Sequence, residues 1–390
     1  RAAIPALILL ALLAAAVPAG ARQTLALDGG WQCLFAEAKA PPPADGPWEP
    51  AQAPLLRSWR PEGPHALWLR TWFHLPLPWA GKRFLVILDG VKFRQQVWVN
   101  GSRVGDHLGG FERTEYDITE QARLGEYNEL LICAEDWTAL LSQAAKAQPP
   151  ERAGEFASWV EGGLLAPIGS RGWEVGVSGP VRVEARARVW VSDVFVVPSV
   201  RERKLRVQVT VRNAGRSEER ATVTARIAGG GAGPRFAPQR ATMPAGKEQE
   251  VMLEADWPEP RLWWPWRPHL YSLVVGVRAG QMADAVEVGF GFREFWAEGD
   301  RFLLNGVPMT LRATAMLPGS PRAGDAKAAY RAAQATGATA VVLHGEPWSE
   351  DWYQAADEMG MLLIAESGLS RLAQSYALGN DAFWEHARAH

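Results

Sequence analysis

The spacing of apolar residues changes near Gly291, and this change limits the folds open to the chain. Before it, short runs such as 67–75 and 205–211 alternate apolar and polar residues between Gly, Pro and Asp. A period of two predicts half-buried antiparallel sheets. After it, helical segments alternate with short, continuous apolar runs, which predicts parallel strands joined by helices. The chain is therefore expected to hold two kinds of architecture in a fixed order.

Two antiparallel units are predicted before the change. Residues 22–188 contain strand-like runs and the pair Asn100-Gly101, which suits a type I′ turn because both residues tolerate a positive φ. This pattern is typical of a sandwich or jelly roll. Residues 189–290 contain further strands around a Gly-rich turn and indicate an immunoglobulin-like β-sandwich.

Residues 291–390 are predicted to begin an α/β barrel or an open α/β sheet. Asn305-Gly306 is a second hairpin signal near the start of this stretch. A closed barrel takes about 250 residues, so only its first part is expected here. Two helices, each closed by a glycine, and two buried strands are predicted, the helices over 325–336 and 349–359 and the strands over 338–343 and 361–365.

The N-terminus has the pattern of an export signal. Arg1 precedes an apolar run over 4–16 and the small residues Ala19-Gly20-Ala21. The run is short for a membrane span, and an uncleaved anchor is the alternative. We expect residues 1–21 to be a signal peptide and the protein to be exported, to the periplasm or outside the cell, without membrane association after cleavage.

The composition limits the classes of ligand and partner that the protein is expected to bind. A formal net charge of −2 gives no general attraction for nucleic acid or anionic lipid. The chain has 19 Trp against 6 Tyr, and Trp suits stacking on sugar rings as well as core packing. Asp106 and His107 do not have the spacing of a metal-ligand set, and no phosphate-binding loop or Ser-His-Asp pattern stands out. No cofactor or metal is expected.

The two cysteines, Cys33 and Cys133, both lie in strand-like surroundings. In an oxidising compartment they could pair, and closing so long a loop would stabilise the fold. Two buried, unpaired thiols are the alternative, which we favour.

Short motifs in serial order resemble those of glycoside hydrolase family 2, which includes β-galactosidases, β-glucuronidases and β-mannosidases. The resemblance covers nearly everything after the signal peptide and implies a jelly-roll, galactose-binding-like sugar-binding domain over 22–188, an immunoglobulin-like sandwich over 189–290 and an incomplete (β/α)₈ TIM barrel over 291–390. The motifs are Val97-Trp98-Val99-Asn100-Gly101, Gly109-Gly110-Phe111, Tyr116-Asp117-Ile118-Thr119, Gly179-Pro180-Val181, Leu262-Trp263-Trp264-Pro265, Leu270-Tyr271-Ser272-Leu273, Gly291-Phe292-Arg293 and Phe302-Leu303-Leu304-Asn305-Gly306-Val307-Pro308.

The resemblance implies a retaining glycosidase, with one carboxyl group as acid/base and a second as nucleophile, about 5–5.5 Å apart. In the family these glutamates end the fourth and seventh barrel strands. Counting Leu311 in the first strand, 341–343 in the second and 362–364 in the third puts both glutamates after His390. The full-length protein is thus predicted to hydrolyse a β-linked glycan or glycoside, and this chain alone to be inactive. The sequence leaves homo-oligomerisation open.

Three residues are candidates for substrate binding. His344 follows the second barrel strand and Glu366 the third, where side chains face the active site of a barrel. Arg312 is predicted to end the first strand. Each has a structural alternative: a His bonded to backbone carbonyls, a loop hydrogen bond and an ion pair within the barrel. Glu346 is interpreted as loop surface.

Two departures from the family pattern bear on activity. Val342 stands where the family has an Arg, and Ala313-Thr314-Ala315-Met316 replaces a Gly and a polar loop. A non-catalytic carbohydrate-binding or scaffold protein of the same architecture is therefore the alternative function. Trp263-Trp264-Pro265 leans towards mannosidase-like or glucosaminidase-like relatives. Residues Trp159, Glu161 and Trp173 are candidates to reach over the barrel mouth.

Overall fold

The computed structural model describes residues 22–38, 41–42, 44–58, 66–92, 94–135, 174–229, 233–317, 326–345 and 347–366. The predicted signal peptide, the loop candidates Trp159, Glu161 and Trp173, and Glu346 lie outside these ranges. Neither helix in the described ranges is both long and apolar enough to cross a membrane.

The first part of the molecule is built from antiparallel strands. They form sheets in the orders β1-β13-β6-β10, β3-β2-β5-β11-β8-β9 and β4-β12-β7, around one apolar core. The described residues here form β1 (Gln23–Ala26), β2 (Trp31–Ala36), β3 (Glu49–Ala51), β4 (Leu55–Ser58), β5 (Ala66–His74), β6 (Arg83–Asp89), β7 (Val91–Lys92), β8 (Arg94–Val99), β9 (Ser102–Leu108), β10 (Arg113–Asp117), β11 (Tyr127–Glu135), β12 (Glu174–Val177) and β13 (Val181–Arg186), with a 3₁₀ turn at Leu77–Trp79.

Strand β5 shows why the alternating pattern gives this arrangement. Leu67, Leu69 and Phe73 enter the core, while Trp68, Arg70 and Trp72 face the other side of the six-stranded sheet. The predicted turn between β8 and β9 is confirmed, since Asn100 and Gly101 have φ values of 50° and 79°.

The two cysteines are free and buried, as the favoured alternative predicted. Cys33 on β2 enters the core, whereas Cys133 on β11 packs beside Trp68 and Trp98 on the opposite face of the sheet. Strand β5 lies between β2 and β11, so these two strands are separated by two spacings of about 4.8 Å each. The two thiols also point to opposite faces of the sheet. A disulfide is geometrically excluded.

The second part is also antiparallel and has a core of its own. Its sheets have the orders β14-β15-β18 and β17-β16-β19-β20. The strands are β14 (Val189–Ser199), β15 (Lys204–Asn213), β16 (Glu219–Ile227), β17 (Gln239–Met243), β18 (Glu248–Asp256), β19 (Leu270–Ala279) and β20 (Met282–Gly291).

The third part contains an antiparallel meander followed by a parallel sheet, β24-β25-β26, with two helices packed on it. Both predicted helices are confirmed, and Gly360 ends the second with φ 78°. The predicted turn at Asn305-Gly306 is confirmed as well. The elements are β21 (Phe295–Glu298), β22 (Arg301–Leu304), β23 (Val307–Met309), β24 (Ala313–Met316), α1 (Ala326–Ala335), β25 (Ala340–Leu343), α2 (Glu350–Met359) and β26 (Leu362–Ala365).

Helix α2 is fastened to the second part by a set of residues that we call the junction cluster: Trp263, Gly291, Arg293, Asn305 and Asp357. The fully buried Trp263 indole donates to the Asp357 carbonyl oxygen at 2.7 Å. The Arg293 guanidinium lies 4.2 Å from the Trp263 ring and donates to the Asp357 carboxylate at 2.7 Å. The Asn305 amide donates to the Trp263 carbonyl oxygen at 3.0 Å. The predicted entry motifs thus serve to join elements.

Candidate functional site

The carboxyl ends of the three parallel strands meet at one edge of their sheet. Met316, Leu343 and Ala365 are in register across β24, β25 and β26. His344 and Glu366 directly follow two of these strands. Their backbone N–H groups continue the ladder, His344 donating to the Met316 carbonyl at 3.0 Å and Glu366 to that of Leu343 at 3.1 Å. The sheet therefore fixes both backbones at the edge.

The two predicted side chains, His344 and Glu366, lie together. His344 Nδ1 is 2.6 Å from Glu366 Oε2, and the Gly345 N–H donates to the same oxygen at 3.1 Å. Gly345 has φ 76°, a backbone conformation that favours glycine. Both paired side chains are partly accessible, 29% for His344 and 34% for Glu366. The pair is therefore accessible to solvent.

This geometry defines what the pair can do. A carboxylate at Nδ1 holds the proton there in the neutral imidazole and leaves Nε2 as an acceptor. The pair is thus suited to binding a hydroxyl group. The described residues contain no group of three or more His, Cys, Asp or Glu side chains able to hold a metal ion.

Arg312 does not belong to this site. The prediction that it ends the first parallel strand is wrong, because that strand is β24 and begins after it, at Ala313. Its guanidinium donates to the Gly337 carbonyl at 2.9 Å, and its backbone N–H to Thr339 Oγ1 at 3.0 Å. These contacts lie at the amino-terminal edge of the sheet, one strand length from His344.

Trp348 is a residue of this edge that sequence reasoning missed. Its indole packs edge-on against Trp352, with ring centroids 4.5 Å apart. The indole N–H is buried and has no hydrogen-bond partner within the described residues. A buried donor without a partner is costly, so this group is available to an acceptor. The signal in the sequence is its position four residues after His344.

The face of the parallel sheet that lies away from the helices is apolar. Val341 and Leu343 pack against the helices, so Val342 faces the opposite side, in register with Ala315 and Ile364. The residue at the position where the family pattern has an Arg therefore lies on the same sheet face as an exposed Ile364. Within this row no side chain carries a charge.

His107 is engaged in a local pair on the first part of the molecule. Its Nε2 is 2.5 Å from Glu112 Oε1, while Asp106 pairs with Arg103 at 3.3 Å. These partners give both residues structural roles.

The chain is similar to known glycosidases. Residues 189–293 match the family model of glycosyl hydrolases family 2. A β-glucuronidase of Paenibacillus borealis is 27% identical over 253 residues, covering 62% of this chain and 38% of that protein. A β-galactosidase of Thermoanaerobacter pseudethanolicus is 25% identical over 249 residues, covering 63% and 31%.

A solved structure shows the same fold. It is the GH2 β-galacturonidase from Eisenbergiella tayi bound to galacturonate, with a TM-score of 0.74, 19% identity, and coverage of 94% of this chain and 61% of that one. The matches to the two curated relatives span 38% and 31% of their lengths. The family model over residues 189–293, these relatives and the shared β-rich fold agree, and the chain resembles glycosyl hydrolases family 2.

Proposed function

We propose that the protein is a retaining glycoside hydrolase acting on β-linked glycans or glycosides. The observation that carries this proposal is the His344–Glu366 pair at the carboxyl edge of three parallel strands in a chain that resembles family 2. In this proposal 22–188 form a jelly roll, 189–290 an immunoglobulin-like sandwich, and 291–390 the first part of a TIM barrel. The carboxyl ends of barrel strands form the active-site face of that fold.

The proposed role of His344 is to bind a substrate hydroxyl through Nε2, with Glu366 holding the ring in position. The two catalytic carboxyl groups are assigned to the fourth and seventh strands, so the 390 residues alone bind sugar without cleaving it. The names of the relatives, a β-glucuronidase and a β-galactosidase, support a hexose or hexuronic acid as the glycone. We propose export as the destination, on the strength of the N-terminal pattern.

A non-catalytic carbohydrate-binding protein is the second candidate, and Val342 is the observation that favours it. A guanidinium at this place on the sheet face away from the helices would orient a catalytic carboxylate, whereas a valine offers no charge. In that case the architecture and the hydroxyl-binding pair would persist without hydrolysis.

The test uses the 390-residue chain and a matched His–carboxylate pair as control. We expect no hydrolysis of 4-nitrophenyl β-glucuronide, β-galactoside or β-mannoside. In calorimetry with glucuronate and galactose, His344→Ala should weaken binding about tenfold, whereas His107→Ala should leave it unchanged. Equal binding by wild type and His344→Ala would refute the assigned site. Turnover by the chain alone would refute the strand assignment.

The gene after the codon for His390 decides between the two candidates. An Asn-Glu pair after a fourth strand and a second Glu after a seventh support the hydrolase. Their absence supports the binding protein.

A further inference from the structure

The six-stranded sheet of the first part presents an exposed aromatic surface on the face opposite its core. Trp72 and His74 on β5 lie opposite Glu129 and Tyr127 on β11, and all four project from that face. We call these four residues the outer quartet. Trp72 is 45% exposed and Tyr127 71%, although large aromatic side chains are usually buried.

Both exposed rings are held in place by neighbours. The Arg70 guanidinium lies 4.1 Å from the Trp48 ring centroid and 5.2 Å from that of Trp72, so it is stacked with both rings. Arg70 is itself fixed, because it donates to Gln32 Oε1 at 2.7 Å and to the Ala44 carbonyl at 3.0 Å. The surface therefore loses little side-chain entropy when a ligand binds.

The ring of Tyr127 is supported in a similar way. Its centroid is 5.5 Å from that of His74, in an edge-on arrangement. Trp72 and Tyr127 are diagonal neighbours across an antiparallel pair, which places their backbones about 7–8 Å apart. Two flat apolar rings are thus presented side by side on one rigid sheet face.

The polar groups around the two rings indicate the class of ligand. Glu129 lies directly opposite Trp72 and two residues from Tyr127 along β11, where its carboxylate is a hydrogen-bond acceptor, and His74 offers a ring nitrogen. Aromatic faces alternate here with polar groups, which fits a sugar with apolar C–H faces and hydroxyl groups at its rim. A protein interface core would instead be depleted of such charged groups.

We propose that the outer quartet is a glycan-binding surface that stacks neighbouring sugar rings of one polysaccharide on Trp72 and Tyr127. Glu129 accepts hydrogen bonds from their hydroxyl groups. The surface belongs to a different sheet from His344 and Glu366, so it holds a polymer independently of that site. This surface is tested by polymer retention in variants of Trp72 and Tyr127, whereas the proposed function is tested by monosaccharide binding in a His344 variant, so the failure of one is distinguishable from the failure of the other.

The test is affinity electrophoresis of the 390-residue chain in gels that contain mixed-linkage β-glucan, β-galactan or galactomannan. We expect the wild type to be retarded in at least one gel. Trp72→Ala should raise the dissociation constant about tenfold, and the Trp72→Ala/Tyr127→Ala double variant, made in the His344→Ala background, should abolish retardation. Phe195→Ala is the matched control, because it removes a 61% exposed ring from a different sheet, and it should migrate as wild type.

Further measurements separate a loss of binding from a loss of folding and from dimer formation. Near-ultraviolet circular dichroism confirms that the variants are folded, and Trp72→Phe should retain most of the retardation. The proposal is overturned if no gel retards the wild type, or if the folded double variant is still retarded. It is also overturned if sedimentation shows a dimer that the double variant dissociates, since the surface would then join two copies of the chain.

Discussion

At Gly291 the packing of Trp263 leaves no space for a side chain larger than a hydrogen atom. A Cβ there would lie 2.8 Å from Cδ1 and 2.9 Å from Cγ of Trp263, whose ring is fully buried and held by the Asp357 carbonyl. The absence of a side chain lets strand β20 pass directly against the indole. The glycine that marks the end of the alternating region is thus required for packing.

We therefore expect Gly291→Ala to lower the free energy of unfolding by about 1–3 kcal/mol, as overpacking does in a rigid core. Gly289→Ala on the same strand is the control, because a Cβ at that position meets nothing within 4 Å. Urea unfolding followed by tryptophan fluorescence measures both. Equal stability of the two variants would mean that the Trp263 ring can move aside.

Helix α2 is held at its last turn by the second part of the molecule. The Asp357 carbonyl is one of the terminal carbonyls that a helix leaves without a partner, and the Trp263 indole satisfies it. The preceding carbonyl, that of Ala356, accepts a hydrogen bond from the Met361 N–H. Since α2 packs against β25, this contact also helps to place the loop that carries His344.

Trp263→Phe keeps an aromatic ring but removes the indole donor. We expect the amide protons of α2 to exchange about ten- to a hundredfold faster, corresponding to the loss of one buried hydrogen bond of about 1–3 kcal/mol. Trp266→Phe is the control, because that ring is 69% exposed and stacks only on Trp264 among the described rings. Hydrogen–deuterium exchange read by mass spectrometry distinguishes them. Unchanged exchange in both would show that packing alone holds α2.

The strands and helices could be predicted because their signals are local. Alternation in 67–75 and the glycine after α2 each act within a few residues, and both predictions are confirmed. The placement of Arg312 failed because Leu311 looks like part of a strand, while the strand itself begins only at Ala313. His344 and Glu366 were predicted separately as residues that follow neighbouring strands, and the pairing of their side chains was found only in the structure. The exposure of Trp72 depends on which face is covered, which no local pattern reveals.

The first and second parts of the molecule are also connected by charges. Arg22 donates to Asp284 at 3.0 Å and lies 3.9 Å from Glu184, which pairs with Arg182 at 2.9 Å and Arg186 at 2.7 Å. Burial raises the pKa of Glu184, but Arg186 and Arg182 together outweigh this and hold the pKa below its ordinary value. A carboxyl group whose pKa is lowered by folding stabilises the protein above its ordinary pKa, about 4.3. That contribution is lost as the pH falls through the lowered value.

Glu184→Gln should therefore cost about 3 kcal/mol at pH 7, because it leaves buried guanidinium groups without their shared partner. The difference from wild type should shrink at an acid pH below the lowered pKa of Glu184, where the wild-type carboxyl group is protonated as well. Glu254→Gln is the control, since its pairs with Lys204 and Arg206 are solvent-exposed and screened. Chemical unfolding at both pH values tests this. A pH-independent loss would assign the effect to packing.

The junction cluster has a consequence for how relatives of this chain diverge. Three of its residues, Trp263, Gly291 and Arg293, lie inside the stretch that the family model matches. They fasten a helix, and their contacts with one another and with Asp357 involve neither His344 nor Glu366. Selection for folding alone would preserve these three residues. A relative that no longer cleaves glycosides can therefore still match the family model.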